Sequence, residues 1–215
     1  MSENRTEKNV FVEKLTNKYG FGHPFFMNEV YETMSDYTQL AASALLFELV
    51  DDNLIKRYDA RTFYIPQKLP SGQTLPLNPY LILEKKFITD GTSIYGYYLG
   101  AQLLYIVGII NTPPAKISIV SEKLLCRTRP ITFGNVVCTI HRSKLPINVD
   151  LANAHMSLSL FSLIENPLTT EQREKVAKLF NYRPIKIDQL EKFIKKFPVE
   201  TYQKLVDAGF EVVPN

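Results

Sequence analysis

Apolar residues recur at helical spacing through the first quarter of the chain. Phe11, Val12, Leu15 and Tyr19 share one face of residues 6–19 and predict a helix. Gly20 and Gly22 stop it, and Pro24 is expected to open a second, short helix through Phe26, Val30 and Met34. Residues 36–52 predict a third helix, with Asp36 and Gln39 spaced as a capping box. Within it, residues 40–50 read LAASALLFELV, where only Ser43 and Glu48 are polar, so this helix is expected to be buried on more than one side. Asn53 can adopt the left-handed conformation that ends a helix. The period then changes to two. Residues 54–58 and 61–65 alternate, predicting a hairpin that turns at Asp59 and Ala60 and is closed by Pro66. Helices feeding a small hairpin are the outline of a winged helix-turn-helix.

Residues 66–79 then carry Pro66, Pro70, Ser71, Gly72, Pro76 and Pro79, a loop composition that places a domain boundary near Leu69. The chain therefore reads as a winged helix-turn-helix over 1–68 and a mixed domain over 69–215, an α+β protein. In the second part, residues 78–87 predict a helix with Pro79 in its first turn. Thr92 or Ser93 caps a further helix running to Ile106, apolar enough to be wholly buried, in which Gly96 and Gly100 serve helix packing. Residues 116–120 (KISIV) alternate as a strand, and 124–128, 131–133 and 136–142 predict three more, the last two joined at Gly134 and Asn135. A small antiparallel sheet is expected. Beyond Asp150 the pattern is helical, over 151–165, 170–180, 188–197 and 199–208, and Gly209 closes the last helix.

Composition changes this picture little: 45% hydrophobic and 22% charged residues suit an ordinary globular chain. The polar start MSENRTEKN lacks the apolar stretch of a signal peptide, and the run 95–110 falls short of the ~20 residues a membrane span needs. A cytoplasmic protein without membrane contact is expected, with Cys126 and Cys138 as reduced core residues. Charge is more informative by segment. Residues 1–68 hold eight Lys/Arg against ten Asp/Glu, a net of −2, whereas 69–150 hold eight against four, a net of +4. Lys116, Lys123, Arg127, Arg129, Arg142 and Lys144 lie on or beside the predicted strands, where they form either a face for phosphates or an acidic partner, or a plain solvated sheet surface.

Catalytic chemistry finds little support. His23, His141 and His155 lie at no metal-ligand spacing, no phosphate-binding glycine loop occurs, and Glu122 lacks a second acidic partner for nuclease chemistry. No cofactor, metal or catalytic residue is expected. As a DNA reader the helix 36–52 is poorly equipped, since it holds no basic residue and ends in Glu48, Asp51 and Asp52. DNA contact is expected instead at the helix start, through Tyr37, Thr38, Gln39 and Ser43, and at the wing, through Lys56, Arg57 and Arg61, with Lys68 beyond it. Lys123, Arg127, Arg129 and Arg142 are the expected contacts of the second part. The competing expectation is a protein-interaction module whose apolar helix docks a partner or a second copy of the chain.

The segment LFELVDDNLIKRYDARTFYIP resembles the helix-and-wing pattern of AbiEi-type antitoxins, from bacterial type IV toxin–antitoxin systems, and of their uncharacterised relatives. Leu46, Leu49, Leu54, Ile55, Arg57, Phe63, Tyr64 and Pro66 stand in the places of that pattern. NPYLILEKKFITDGTSIYGYYLGAQLLYIVG and PPAKISIVSEK continue the likeness, which covers most of the chain. Three departures stand out: Phe47-Glu48 replaces the usual helix arginine, Asn53 the glycine at the helix end, and Ala60-Arg61 the wing glycine. The resemblance implies a non-enzymatic repressor that binds double-stranded operator DNA upstream of its own operon. It also implies that the C-terminal part counters a nucleotidyltransferase-like toxin from a neighbouring gene, directly or only functionally.

Overall fold

The computed structural model describes the backbone of residues 2–214 and the side chains of residues 7–214. The fold is α+β, in two compact units, Met1–Ile82 and Leu83–Asn215. The division falls inside a helix rather than near Leu69. The proline-rich loop closes on itself, through Leu69 N–H to Gln73 O (2.8 Å) and Leu75 N–H to Gln67 O (2.9 Å), and stays with the first unit.

The first unit runs α1 (Ser2–Tyr19), β1 (Pro24–Phe26), α2 (Met27–Thr33), α3 (Gln39–Asp51), β2 (Lys56–Arg57) and β3 (Thr62–Tyr64). Its strands form one antiparallel sheet in the order β1-β3-β2. Pro24 begins a strand here and not the expected helix. Phe25 and Phe63 pair across β1 and β3 and stack with ring centroids 6.3 Å apart, and this burial decides for extended backbone. The cap of α3 also differs from expectation. Thr38, not Asp36, accepts the free Ala41 N–H. Asn53 ends the helical turn at φ +59°, as its amide side chain allows. The turn between β2 and β3 is held by Asp59, whose Oδ1 accepts from the N–H groups of Arg61 and Thr62, both at 2.9 Å.

Phe11 and Leu15 of α1 meet Phe25, Val30 and Met34, then Ala42, Leu45, Leu46 and Leu49 of α3, and finally Ile55, Phe63 and Ile65. Only one side of α3 enters this core. Its opposite side exposes Leu40, Ala41, Ala44 and Phe47, so the expectation of burial on more than one side fails.

The second unit contains α4 (Pro79–Phe87, which straddles the division), β4 (Gly96–Leu99), α5 (Ala101–Ile106), β5 (Lys116–Ser121), β6 (Thr128–Phe133) and β7 (Val136–Arg142). It continues with α6 (Val149–Phe161), α7 (Thr170–Leu179), β8 (Ile185–Lys186), α8 (Ile187–Glu191), a 3-10 turn (Ile194–Lys196), α9 (Glu200–Asp207) and β9 (Val212–Val213). The sheet order is β4-β5-β7-β6, and because β5 and β7 run parallel the sheet is mixed, not antiparallel. The edge strand β6 carries Pro130 and exposed Arg129, residues that discourage further strand pairing. Leu124 to Arg127 do not form the expected strand, and Thr128 instead opens β6; Leu124 is buried but Leu125 is 88% exposed, so Leu124 anchors a loop.

The apolar run 95–110 is not one helix. Its first part is β4, which pairs with β5, and Gly100 then turns the chain at φ +69° into α5. Gly96 is accordingly a strand glycine and not a helix-packing one. The helix buried on nearly every side is α6, which packs against β4, α5, α8 and α9. Its polar groups are satisfied locally. Asn153 donates to Phe180 O (2.9 Å) and Ser159 Oγ accepts from Gly100 N–H (2.9 Å), which ties the β4–α5 turn to the helix. Of the cysteines, Cys138 is buried in β7 and burial pushes its thiol up to about 12, whereas Cys126 is exposed in the loop before β6, contrary to the expected core position. No helix among the described residues is long and apolar enough to cross a membrane.

Candidate functional site

In the first unit the expected DNA-contacting residues divide by how far they are already engaged. Tyr37 is half-buried, its ring edge-on to Phe11 at 6.0 Å, and belongs to the core rather than the open face of α3. Thr38 spends its hydroxyl on the helix cap, and the Ser43 hydroxyl donates to Gln39 O (2.8 Å) beside the Tyr31 hydroxyl (2.9 Å). These three shape the helix start. Gln39 is exposed.

On the β2–β3 hairpin, the Lys56 ammonium donates to Asn53 Oδ1. Arg57 donates from Nε to Asp59 O (3.0 Å), and its guanidinium lies 5.6 Å from the centroid of the Phe47 ring. Phe47 in turn meets Phe63 edge-on at 6.2 Å, so Arg57 fastens the β2–β3 hairpin to α3. Arg61 and Lys68 are exposed, and no side-chain contact engages either among the described residues. The acidic end of α3 is not left bare. Lys8 of α1 bridges Glu48 (3.0 Å) and Asp52 (2.8 Å), which reduces the negative field beside the β2–β3 hairpin.

In the second unit, Lys123 follows β5, Arg127 precedes β6, Arg129 lies near the start of β6 and Arg142 ends β7, so the sheet topology gathers all four at one end. Arg142 N–H donates to Arg127 O (3.0 Å), joining two of them directly. Two of the cations are partly engaged: Lys123 lies over the Tyr95 ring at 4.4 Å, and Arg142 donates to Leu125 O (3.0 Å). Lys116 lies at the opposite end of β5.

That same end of the sheet opens on a cavity of about 470 Å³. Tyr97, Val120 and His141 lie side by side across β4, β5 and β7 and form its floor. His155 of α6 and Phe193 form a wall, their rings stacked 4.0 Å apart and 4° from parallel. His155 Nδ1 is 2.9 Å from the Tyr97 hydroxyl. Burial above all, with Lys196 nearby, lowers the His155 pKa to about 4, and burial raises that of Tyr97. Sequence spacing gave no sign of this arrangement, because Tyr97 and His155 are 58 positions apart and only the fold joins them.

His155 makes a pH prediction for the fold. The unfolded chain takes up its proton near 6.5 and the folded chain only near 4, so below 6.5 the unfolded state binds more protons and stability falls. The loss is complete below about pH 4 and amounts to about 3 kcal/mol. Urea midpoints measured from pH 7 to pH 4 are expected to fall more steeply for the parent than for His155→Gln. Equal slopes would place the His155 ring in water.

Among the described residues no group of three or more His, Cys, Asp or Glu is arranged to hold a metal ion. Comparison with protein-family models, with curated proteins and with solved structures finds no match to this chain.

Proposed function

We propose that the first unit is a winged helix that binds double-stranded DNA mainly through its wing, in a non-enzymatic regulator resembling an AbiEi-type antitoxin. One observation carries this reading: the order α1-β1-α2-α3-β2-β3, in which a tight hairpin follows α3 and presents Lys56, Arg57 and Arg61. Helix-turn-helix proteins place the second helix of the pair in the major groove and use adjoining elements on the backbone. Here α3 has Gln39 at its start and no cation, so the division of labour is shifted toward phosphate contacts from the wing. Arg61 and Lys68 are exposed cations at and beyond that hairpin. The cationic end of the second unit's sheet is a separate phosphate-contacting surface in this proposal.

The DNA upstream of the protein's own gene is the proposed target, and a nucleotidyltransferase-like toxin encoded next door the proposed functional partner. A gel-shift series with that duplex at low salt tests the reading. Retarded bands that weaken as salt rises support it, and an unshifted duplex contradicts it.

A second reading rests on a specific feature of α3. Leu40 is 81% and Phe47 39% exposed, with Ala41 and Ala44 beside them, a smooth apolar strip suited to a protein partner or a second copy. Light scattering of the purified chain discriminates: a dimer abolished by Leu40→Asp that ignores DNA favours this reading over the first.

A further inference from the structure

We propose that the cavity at the cationic end of the second unit's sheet binds a small phosphate ester. Its phosphate is held at the Lys144, Lys192 and Lys196 rim, and its organic body between Tyr97 on the floor and the wall of His155 and Phe193. The inference does not depend on the wing. It stands on four observations.

The first is size: about 470 Å³ lies within the range of cavities that enclose small organic molecules, and a bare ion needs far less. The second is charge. Lys144, Lys192, Lys196 and Arg142 all line the cavity, and among the described residues no Asp or Glu does. The Arg142 guanidinium is already bonded to Leu125 O, and Lys192 Nζ to Gln189 Oε1 at 2.6 Å; the latter bond uses one of three ammonium donors. No carboxylate shares the rim to neutralise these charges, which suits a ligand carrying close to two negative charges, as a phosphate monoester does.

The third observation is the wall. Phe193 and Tyr97 are buried apolar surface, and Lys196 Nζ sits 5.5 Å from the Phe193 ring centroid, so the rim and the wall are contiguous. A free phosphate would leave that wall unused. The fourth is the His155 ring. Its Nδ1 is committed to the Tyr97 hydroxyl and one ring face to Phe193, while Phe197 meets it edge-on at 5.9 Å. Three neighbours thus fix the imidazole and leave Nε2 for a polar atom of the ligand's body.

Isothermal titration of the full chain at low salt tests the assignment, with phenyl phosphate and adenosine 5′-monophosphate as probes. Inorganic phosphate, phenol and adenosine provide the separate halves. At least one ester is expected to bind at one site per chain, tenfold or more tighter than either of its halves. The double variant Lys144→Gln/Lys192→Gln is expected to weaken that ester tenfold or more. Both lysines are exposed, so an unchanged circular-dichroism melting curve will show that the fold is kept. Tyr97→Phe, which removes the bond to His155, is expected to weaken the ester while leaving inorganic phosphate unaffected. The proposal is overturned if neither ester binds, if inorganic phosphate binds as tightly as the esters, or if the lysine variant binds like the parent.

Discussion

Gly96→Ala is expected to abolish folding of the second unit. A Cβ at this position would lie 1.8 Å from the carbonyl oxygen of Phe87 and 2.8 Å from that of Val120. Both obstacles are backbone, so no rotamer change relieves the overlap. β4 would have to leave the end of α4, breaking the bonds from Tyr95 N–H and Gly96 N–H to Ile88 O at 2.8 and 3.1 Å. It would also have to leave β5, where Gly96 pairs with Ser121. A cost above about 4 kcal/mol is expected, a large part of the stability of a typical domain. Hydrogen exchange of the full chain reads the effect unit by unit. Residues 96–142 should lose protection in the variant, and a protection pattern equal to that of the parent would contradict the close approach.

Phe63→Ala is expected to do the corresponding damage in the first unit. Phe63 is fully buried, stacks on Phe25 and takes the edge of Phe47, so its ring links β1, β3 and α3. Truncating such a ring costs about 3–5 kcal/mol, the lost transfer energy plus the cavity left behind. The consequences extend to the wing. Phe47 loses one of its two partners and holds Arg57 less firmly, so DNA binding and protection of α3 should fall together. Near-parent exchange protection in residues 39–64 would show that the ring is not central to this core.

How much of this was legible in sequence depended on whether the information was local. Periodicity located α1, α3, the β2–β3 hairpin, β5, β7 and most C-terminal helices, because the spacing of apolar residues is a property of each stretch by itself. Asn53 was readable for the same reason: a left-handed residue after a helix is a local requirement, met at φ +59°. The failures were non-local. PFF at 24–26 reads as the start of a helix until Phe63 is placed opposite Phe25. The run 95–110 has the composition of a buried helix, and only the approach of Phe87 O and the pairing with β5 make its first part a strand. β8 and β9 are two residues each and pair across 27 positions, too short for any periodicity to register.

The candidate sites follow the same rule. Arg57 and Arg61 were visible as cations of a hairpin, because a hairpin announces its own turn. Their unequal freedom was not visible, since Phe47 and Asp59 engage Arg57 only in three dimensions. Tyr37, expected as a DNA contact at the helix start, packs against the core through Phe11. The basic residues of the second unit were counted correctly as a segment, but their meeting at one sheet end depends on the β5-β7-β6 topology. The cavity beside them draws on three strands, α6 and the chain after α8, a combination that no single stretch of sequence contains.

The central claim, that the wing of the first unit binds duplex DNA by phosphate contacts, is tested most directly by a salt titration. Fluorescence anisotropy of a labelled upstream duplex would be measured with the full chain and with Arg61→Gln/Lys68→Gln. Each lysine or arginine on a phosphate contributes a slope of roughly 0.9 to the fall of log affinity with log salt. The account predicts linear salt dependence for the parent and a slope shallower by about 2 for the variant, with weaker binding at every salt concentration. Absence of binding at low salt, or a variant whose slope matches the parent, would contradict it.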